Sequence, residues 1–175
     1  MSLVTELERL ADALGDASAD VPPLAWGSVA ERIAKNLNVK TEEVAILGLS
    51  SKWRHLHLLV PEPLKNVGFI PLTSNSALAA RTARESRPEI NNAFAAVRHA
   101  TVFEGVKSGG DSGEAIQKII SAPILNGDKV IGVIQISRKG ANTSSAGADF
   151  TPADLGKVLA LCKPLGKLLQ QVAKD

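Results

Sequence analysis

The stretch Lys129–Lys139 (KVIGVIQISRK) constrains the fold more than any other part of the chain. Read with the period of two that governs a strand, Val130, Gly132, Ile134 and Ile136 fall on one face, and Ile131, Val133, Gln135 and Ser137 on the other. The first face is purely apolar; the second turns polar toward Gln135, Ser137 and the neighbouring Arg138. Such a strand belongs in the middle of an antiparallel sheet, covered by helices on one side and by a partly polar cavity on the other. Gly132, with no side chain, lets a helix lie close.

A chain of 175 residues is long enough to bury one real core without disulfides or a metal to hold it together. Its 45% hydrophobic and 22% charged residues are those of a globular domain. The net charge of +2 comes without a dense Lys/Arg block and with few aromatics, which argues against a nucleic-acid surface. The single cysteine, Cys162, excludes an intramolecular disulfide and a cysteine-rich metal site, and fits a reducing compartment. The first residues lack a signal-peptide pattern, and no apolar run reaches membrane-spanning length, so the expected location is the cytoplasm, without membrane contact.

Leu3, Leu7, Leu10 and Leu14 make one apolar stripe on a short helix that Gly15 stops; the stripe packs within the chain or against a second copy. Residues 16–23 read as a linker, so residues 1–24 form a helical extension ahead of a domain at 25–175. Ser28 and Glu31 read as a capping box opening a helix with Val29, Ile33, Ala34 and Leu37 inward. Glu43–Leu49 and Trp53–Val60 read as a hairpin, the second strand placing Leu56, Leu58 and Val60 on the core face. Prolines 61, 63 and 71 exclude a central strand or a long helix over 61–73. A helix over Asn75–Glu85 follows, capped by Thr73 or Ser74 and ended by Arg87-Pro88, and then an ambiguous stretch from Glu89 to Gly105.

Beyond the glycine-rich loop 107–113, Ala115–Leu125 reads as a strand with Ile116, Ile120, Ala122 and Ile124 on one face. An Asn126-Gly127 turn joins it to the central strand. Thr151-Pro152 marks the start of a final helix reaching about Ala173, with a kink expected at Pro164.

Between Lys52 and Lys107 eight bases face four acids. Arg81, Arg98 and His99 are therefore candidates for holding a carboxylate or phosphate, with Asn91 and Asn92 as amide donors and acceptors. The competing reading makes Arg81, Arg84 and Arg87 a solvated helix face and the asparagines caps. Gln135 and Ser137 are the polar candidates on the central strand. His55 and His57 share a strand face without an obvious third metal ligand, and an exposed face is the simpler reading. Ser121, inside a strand, is a poor nucleophile, the 107–113 loop lacks the order of a phosphate loop, and Cys162 reads as packing on an apolar helix face.

Ser121-Ala-Pro-Ile124, the Asn-Gly turn, Val130-Ile-Gly-Val-Ile-Gln135, Arg138-Lys139 and Asp149-Phe-Thr-Pro-Ala-Asp-Leu155 together resemble the C-terminal half of a GAF domain. The resemblance spans residues 25–173 and is strongest from 116 onward. It implies an α+β fold of GAF/PAS type: a central antiparallel β-sheet, terminal helices packed on one face, and an irregular helical segment over a small-molecule pocket on the other. Lys139, Phe150 and Asp154 match part of the signature of the cyclic-nucleotide-binding branch, while Arg138 and Leu155 depart from it, which leaves a structural Lys139–Asp154 ion pair as the expectation. One cysteine cannot supply the chemistry of the branch that reduces free methionine sulfoxide.

The resulting expectation is a non-catalytic, ligand-sensing domain without cofactor or metal. It pairs as a homodimer through its first and last helices, binds a small anionic molecule beneath residues 75–105, and signals to a separate output protein. The alternatives are a dimerisation or docking module of the same fold with a filled pocket, and, third, an enzyme.

Overall fold

The computed structural model describes residues 2–15, 26–50, 52, 54–60, 69–75, 77–94 and 115–172. In chain order the elements are α1 (Leu3–Gly15), α2 (Trp26–Leu37), a 3-10 turn (Thr41–Glu43), β1 (Val44–Ser50), β2 (His55–Val60), β3 (Phe69–Pro71), α3 (Leu78–Glu85), β4 (Glu89–Asn91), β5 (Ala115–Asn126), β6 (Lys129–Gly140) and α4 (Pro152–Val172). The six strands form one antiparallel sheet in the order β3-β2-β1-β6-β5-β4, so the Lys129–Lys139 stretch is central, as its two-sided burial requires. The fold is α+β, as read.

Helices α1, α2 and α4 share one face of the sheet, packing on Val44, Ile46, Ile120, Ala122, Ile124, Ile134 and Ile136. Helix α3 lies on the other face, over a second core that contains Ala45, Leu47, Leu56, Leu58, Ile119 and Val133. Completely burying an isoleucine or leucine side chain is worth about 1.5–3 kcal/mol, so these two layers are the main stabilising feature of the fold. Leu7 and Ala11 are buried in the first core, so the α1 stripe is used within the chain, and Arg32 pairs with Glu6 at 3.1 Å across α1 and α2.

Gly132 behaves as its sequence context suggests. A Cβ there would sit 2.7 Å from Leu169 Cδ1 of α4 and 2.5 Å from the Leu47 carbonyl oxygen, so only glycine admits the helix. Thr151 caps α4: its Oγ1 accepts the Asp154 N–H at 3.2 Å, while Asp154 Oδ2 accepts the Thr151 N–H at 2.9 Å. The helix runs through Pro164.

Several face assignments differ from the pattern reading, each because a bulge inserts one residue and reverses the alternation. Ile124 pairs with Gly132 but Leu125 with Val130, so Ile131 is the extra residue. Ile131 therefore joins the helix-side core and Val130 the α3-side core, the reverse of the expectation. Ile116 pairs with Lys139 and Lys118 with Arg138, which makes Gln117 the extra residue and turns Ile116 away from the face of Ile120. Ile46 pairs with Val60 and Leu47 with Leu58, so Leu56 and Leu58 face α3 while Val60 faces the helix layer.

Helix boundaries also shift. Helix α2 includes Trp26 and Gly27 ahead of Ser28, so Ser28 is not its cap. Helix α3 starts at Leu78 rather than Asn75; Ser74 Oγ accepts the Ala77 N–H at 3.2 Å just ahead of it. The β5–β6 loop is Gly127-Asp128 rather than Asn126-Gly127, since Asn126 pairs with Lys129. Gly127 carries φ +64 at the first loop position, where two-residue hairpins of type II′ place glycine.

Candidate functional site

Four polar side chains break the apolar face beneath α3: Thr82 from the helix, Ser121 from β5, and Gln135 and Ser137 from β6, all buried. Ser121 and Gln135 are cross-strand partners, which places them side by side under Thr82. Thr82 Oγ1 donates to the Leu78 carbonyl at 2.9 Å and lies 2.7 Å from Ser121 Oγ. A hydroxyl has one proton, so Ser121 must be the donor in the second bond. Gln135 Nε2 donates to Ser121 Oγ at 3.2 Å. The polarity is thereby fixed as a relay, from Gln135 through Ser121 and Thr82 to a helix carbonyl. Each link polarises the next in the low-dielectric interior.

Further along β6, Ser137 Oγ donates to the Glu43 carbonyl at 3.3 Å. The Glu43 carboxylate, buried, accepts the Lys40 N–H at 2.8 Å and the Lys139 N–H at 2.6 Å. Lys139 Nζ donates to the Glu42 carbonyl at 3.2 Å. Burial pulls the Lys139 ammonium below the usual lysine range, the nearby Glu43 and Glu42 charges oppose that shift, and Lys40 adds to it. The expected Lys139–Asp154 pair is replaced: Asp154 caps its own helix, and Lys139 is held by the 3-10 turn. A cleft of about 380 Å³ opens at this end of the sheet, lined by Lys40, Glu43, Arg138, Lys139 and residues 145–148. Arg138 donates to the Ala148 carbonyl at 2.6 Å with its guanidinium 4.5 Å from the Phe150 ring centroid, and Lys118 pairs with Asp149 at 2.8 Å. These contacts fix residues 147–150 ahead of α4.

The remaining sequence candidates are placed as follows. One nitrogen of the Arg81 guanidinium reaches both Glu89 oxygens, at 2.8 and 2.7 Å, on a half-exposed corner between α3 and β4. Arg84 is likewise engaged, donating to the Leu72 and Ser74 carbonyls at 2.5 and 2.6 Å, and Arg87 reaches Glu85 at 3.2 Å. Asn91 Oδ1 accepts the Ala93 N–H at 2.9 Å, closing a local turn. Asn92 bonds both backbone groups of Phe150. Arg98 and His99 lie outside the described residues, as does the loop 107–113. Gln135 and Ser137 are thus brought together under α3, while Arg81, Asn91 and Asn92 sit at the margin of that layer.

Ser121 and Thr82 were readable only in part, since a threonine at a helix packing position and a serine in an apolar strand signal a buried partner without naming it. The His55 ring stacks on Phe69 at 4.2 Å, and among the described residues no three His, Cys, Asp or Glu side chains form a metal-ligand group. Cys162 is buried, and burial pushes its thiol up to about 12. Among the described residues no helix is long and apolar enough to cross a membrane.

No family model and no curated protein sequence matches the chain. Solved structures do. The GAF domain of an Acinetobacter phosphoenolpyruvate-protein phosphotransferase is similar over 100% of this chain and 99% of its own, with a TM-score of 0.66 and 13% identity. A type II free methionine-R-sulfoxide reductase from Thermoplasma acidophilum is similar over 98% and 97%, with a TM-score of 0.57 and 12% identity. The GAF domain of a two-component sensor histidine kinase from Bacillus halodurans is similar over 86% and 97%, with a TM-score of 0.54 and 15% identity. The shared fold is that of GAF domains.

Proposed function

We propose that this chain of GAF-domain fold is a non-catalytic sensory domain that binds a small anionic molecule on the α3-side face of its sheet. The observation that carries the reading is the relay Gln135–Ser121–Thr82, a set of hydrogen-bonding groups placed within an otherwise apolar layer. Convergent polar groups in apolar surroundings are what small-molecule sites use to orient a ligand. The excess of bases over acids between Lys52 and Lys107 favours an anion, with Arg98 and His99 as the added ligand contacts, alongside Gln135 and Ser137. Arg81, Asn91 and Asn92 then serve as margin residues that hold the layer in place.

Signalling follows from how the layer is tied to the terminal helices. Asn92, at the end of the α3–β4 unit, is bonded to the residue just ahead of the α4 cap. A ligand that binds one position of Asn92 better than another shifts the start of α4, and with it the pairing of terminal helices in a homodimer. A separate output protein reads that change. A single, buried cysteine with its thiol pushed up supports reading the chain as non-catalytic rather than as a counterpart of the sulfoxide-reductase neighbour.

A second reading, a dimerisation module with no ligand, is favoured by Ala79 and Ala80 of α3, which are completely buried against their surroundings. Native mass spectrometry of the freshly purified chain distinguishes the two by retained mass.

A further inference from the structure

A further cavity lies along the outer edge of β5, beyond the residues that β4 covers. It measures about 590 Å³, within the range of small-molecule sites, and lies between α4, the end of β5 and the α3–β4 turn, which supplies Ser86 and Pro88. Pro88, Pro123, Leu125, Leu159 and Cys162 line it, with Lys163 as the charged lining residue and no acid among the lining residues. Among the described residues three large apolar side chains are exposed, Phe69, Leu125 and Leu159, and two of them sit in this groove, 37% and 42% exposed. Helix α4 is drawn close to the groove's β5 wall: a Cβ on Gly166 would stand 2.5 Å from the Leu125 carbonyl oxygen. A largely apolar trough with one cation and no acid in its lining has a defined complement.

We propose that this groove binds an amphiphile with a single anionic head group and an apolar tail, a fatty-acid-like carboxylate. The tail lies along Pro88, Pro123, Leu125 and Leu159, replacing water on surfaces that are otherwise left wet. The head pairs with the Lys163 ammonium, whose donors are suited to a carboxylate oxygen. The groove is lined by none of Thr82, Ser121, Gln135 and Ser137, so the two sites can fail independently.

Dodecanoate is the probe, titrated into the full chain by calorimetry, with dodecyltrimethylammonium as the cationic control. The expected result is saturable one-to-one binding of dodecanoate. Lys163→Glu should weaken it by about tenfold or more, the scale of losing a charge-assisted contact. Leu159→Asn, at a position 42% exposed, should weaken it comparably with the thermal midpoint checked alongside, while Gln135→Leu should leave it unchanged. Equal binding of the cationic amphiphile, indifference to both groove variants, or no saturable binding overturns the proposal. Sedimentation of the same samples tests the rival occupant: a dimer that Leu159→Asn dissociates would assign the groove to a second copy and also overturn it.

Discussion

Asn92 and Phe150, 58 residues apart, are joined by two hydrogen bonds: Asn92 Nδ2 donates to the Phe150 carbonyl at 3.1 Å, and Asn92 Oδ1 accepts the Phe150 N–H at 2.9 Å. One amide side chain therefore satisfies both backbone groups of a residue whose ring supports Arg138 and whose successor caps α4. Asn92→Ala leaves both Phe150 groups without that partner and is expected to cost about 1–3 kcal/mol, the penalty of stranding partly buried polar groups. Urea unfolding measures it. Asn92→Asp keeps the acceptor but sets a carboxylate oxygen against the Phe150 carbonyl, so it should destabilise as well. A midpoint unmoved by Asn92→Ala would remove the link from the middle of the chain to its last helix.

The relay beneath α3 makes a second prediction. Thr82→Val removes the acceptor of the completely buried Ser121 hydroxyl and should cost about 1–3 kcal/mol. Ser121→Ala in the same background should then cost less than it does alone. A double-mutant cycle should give a coupling of about 0.5–3 kcal/mol, and additive losses would show that the two hydroxyls act independently.

Glycines of α4 and its neighbouring strand should respond with opposite signs. Gly132→Ala and Gly166→Ala each place a methyl group 2.5 Å from a carbonyl oxygen, and overpacking of this kind costs about 1–3 kcal/mol. Gly156, in the same helix, has nothing within 4 Å of an added Cβ, so Gly156→Ala should stabilise by up to about 1 kcal/mol. Thermal melts of the three variants read this directly.

Arg81 ties the corner between α3 and β4. Its pair with Glu89 is half exposed on both sides, so solvent screens it, and Arg81→Ala should cost no more than about 1 kcal/mol. A larger loss of stability in urea would show that the Arg81 stem packs as well.

Two buried groups give stability an alkaline signature. The Cys162 thiol titrates at about 12 in the fold against 9.0 for an unperturbed thiol, so its contribution is complete below pH 9 and is lost as pH rises from 9 toward 12. The lowered Lys139 acts the other way: the unfolded chain holds that proton more tightly, so stability gains as pH rises toward 10.5. Cys162→Ala isolates the first effect. The difference in unfolding free energy between the parent and this variant should shrink above pH 9, and a constant difference would contradict the burial of the thiol.

The two-sided burial of Lys129–Lys139 and the Thr151 cap were legible because each is set by residues near one another in sequence, and the glycine in an apolar strand marked the close approach at Gly132 without naming Leu47 or Leu169 as its partners. Bulges at Gln117, Leu59 and Ile131 were not, because a single unpaired residue is decided by both strands of a ladder while alternation is read from one. The Arg81–Glu89 pair needed the left-handed turn at Ser86, φ +51, which swings β4 back under the helix. Gln135 and Ser137 could be placed on a face from period two, but their partners Ser121 and Glu43 come from distant strands and turns. Charge excess alone placed Arg98 and His99 over the site, and they lie outside the described residues.

The central claim is that a ligand occupies the layer beneath α3, and a native mass spectrum of the freshly purified chain beside its Gln135→Leu variant tests it most directly. The account predicts a dimer carrying extra mass of a few hundred daltons, about the scale of a pocket-sized ligand, with that mass lost from the variant. A parent protein with no added mass, or added mass indifferent to Gln135, would contradict it.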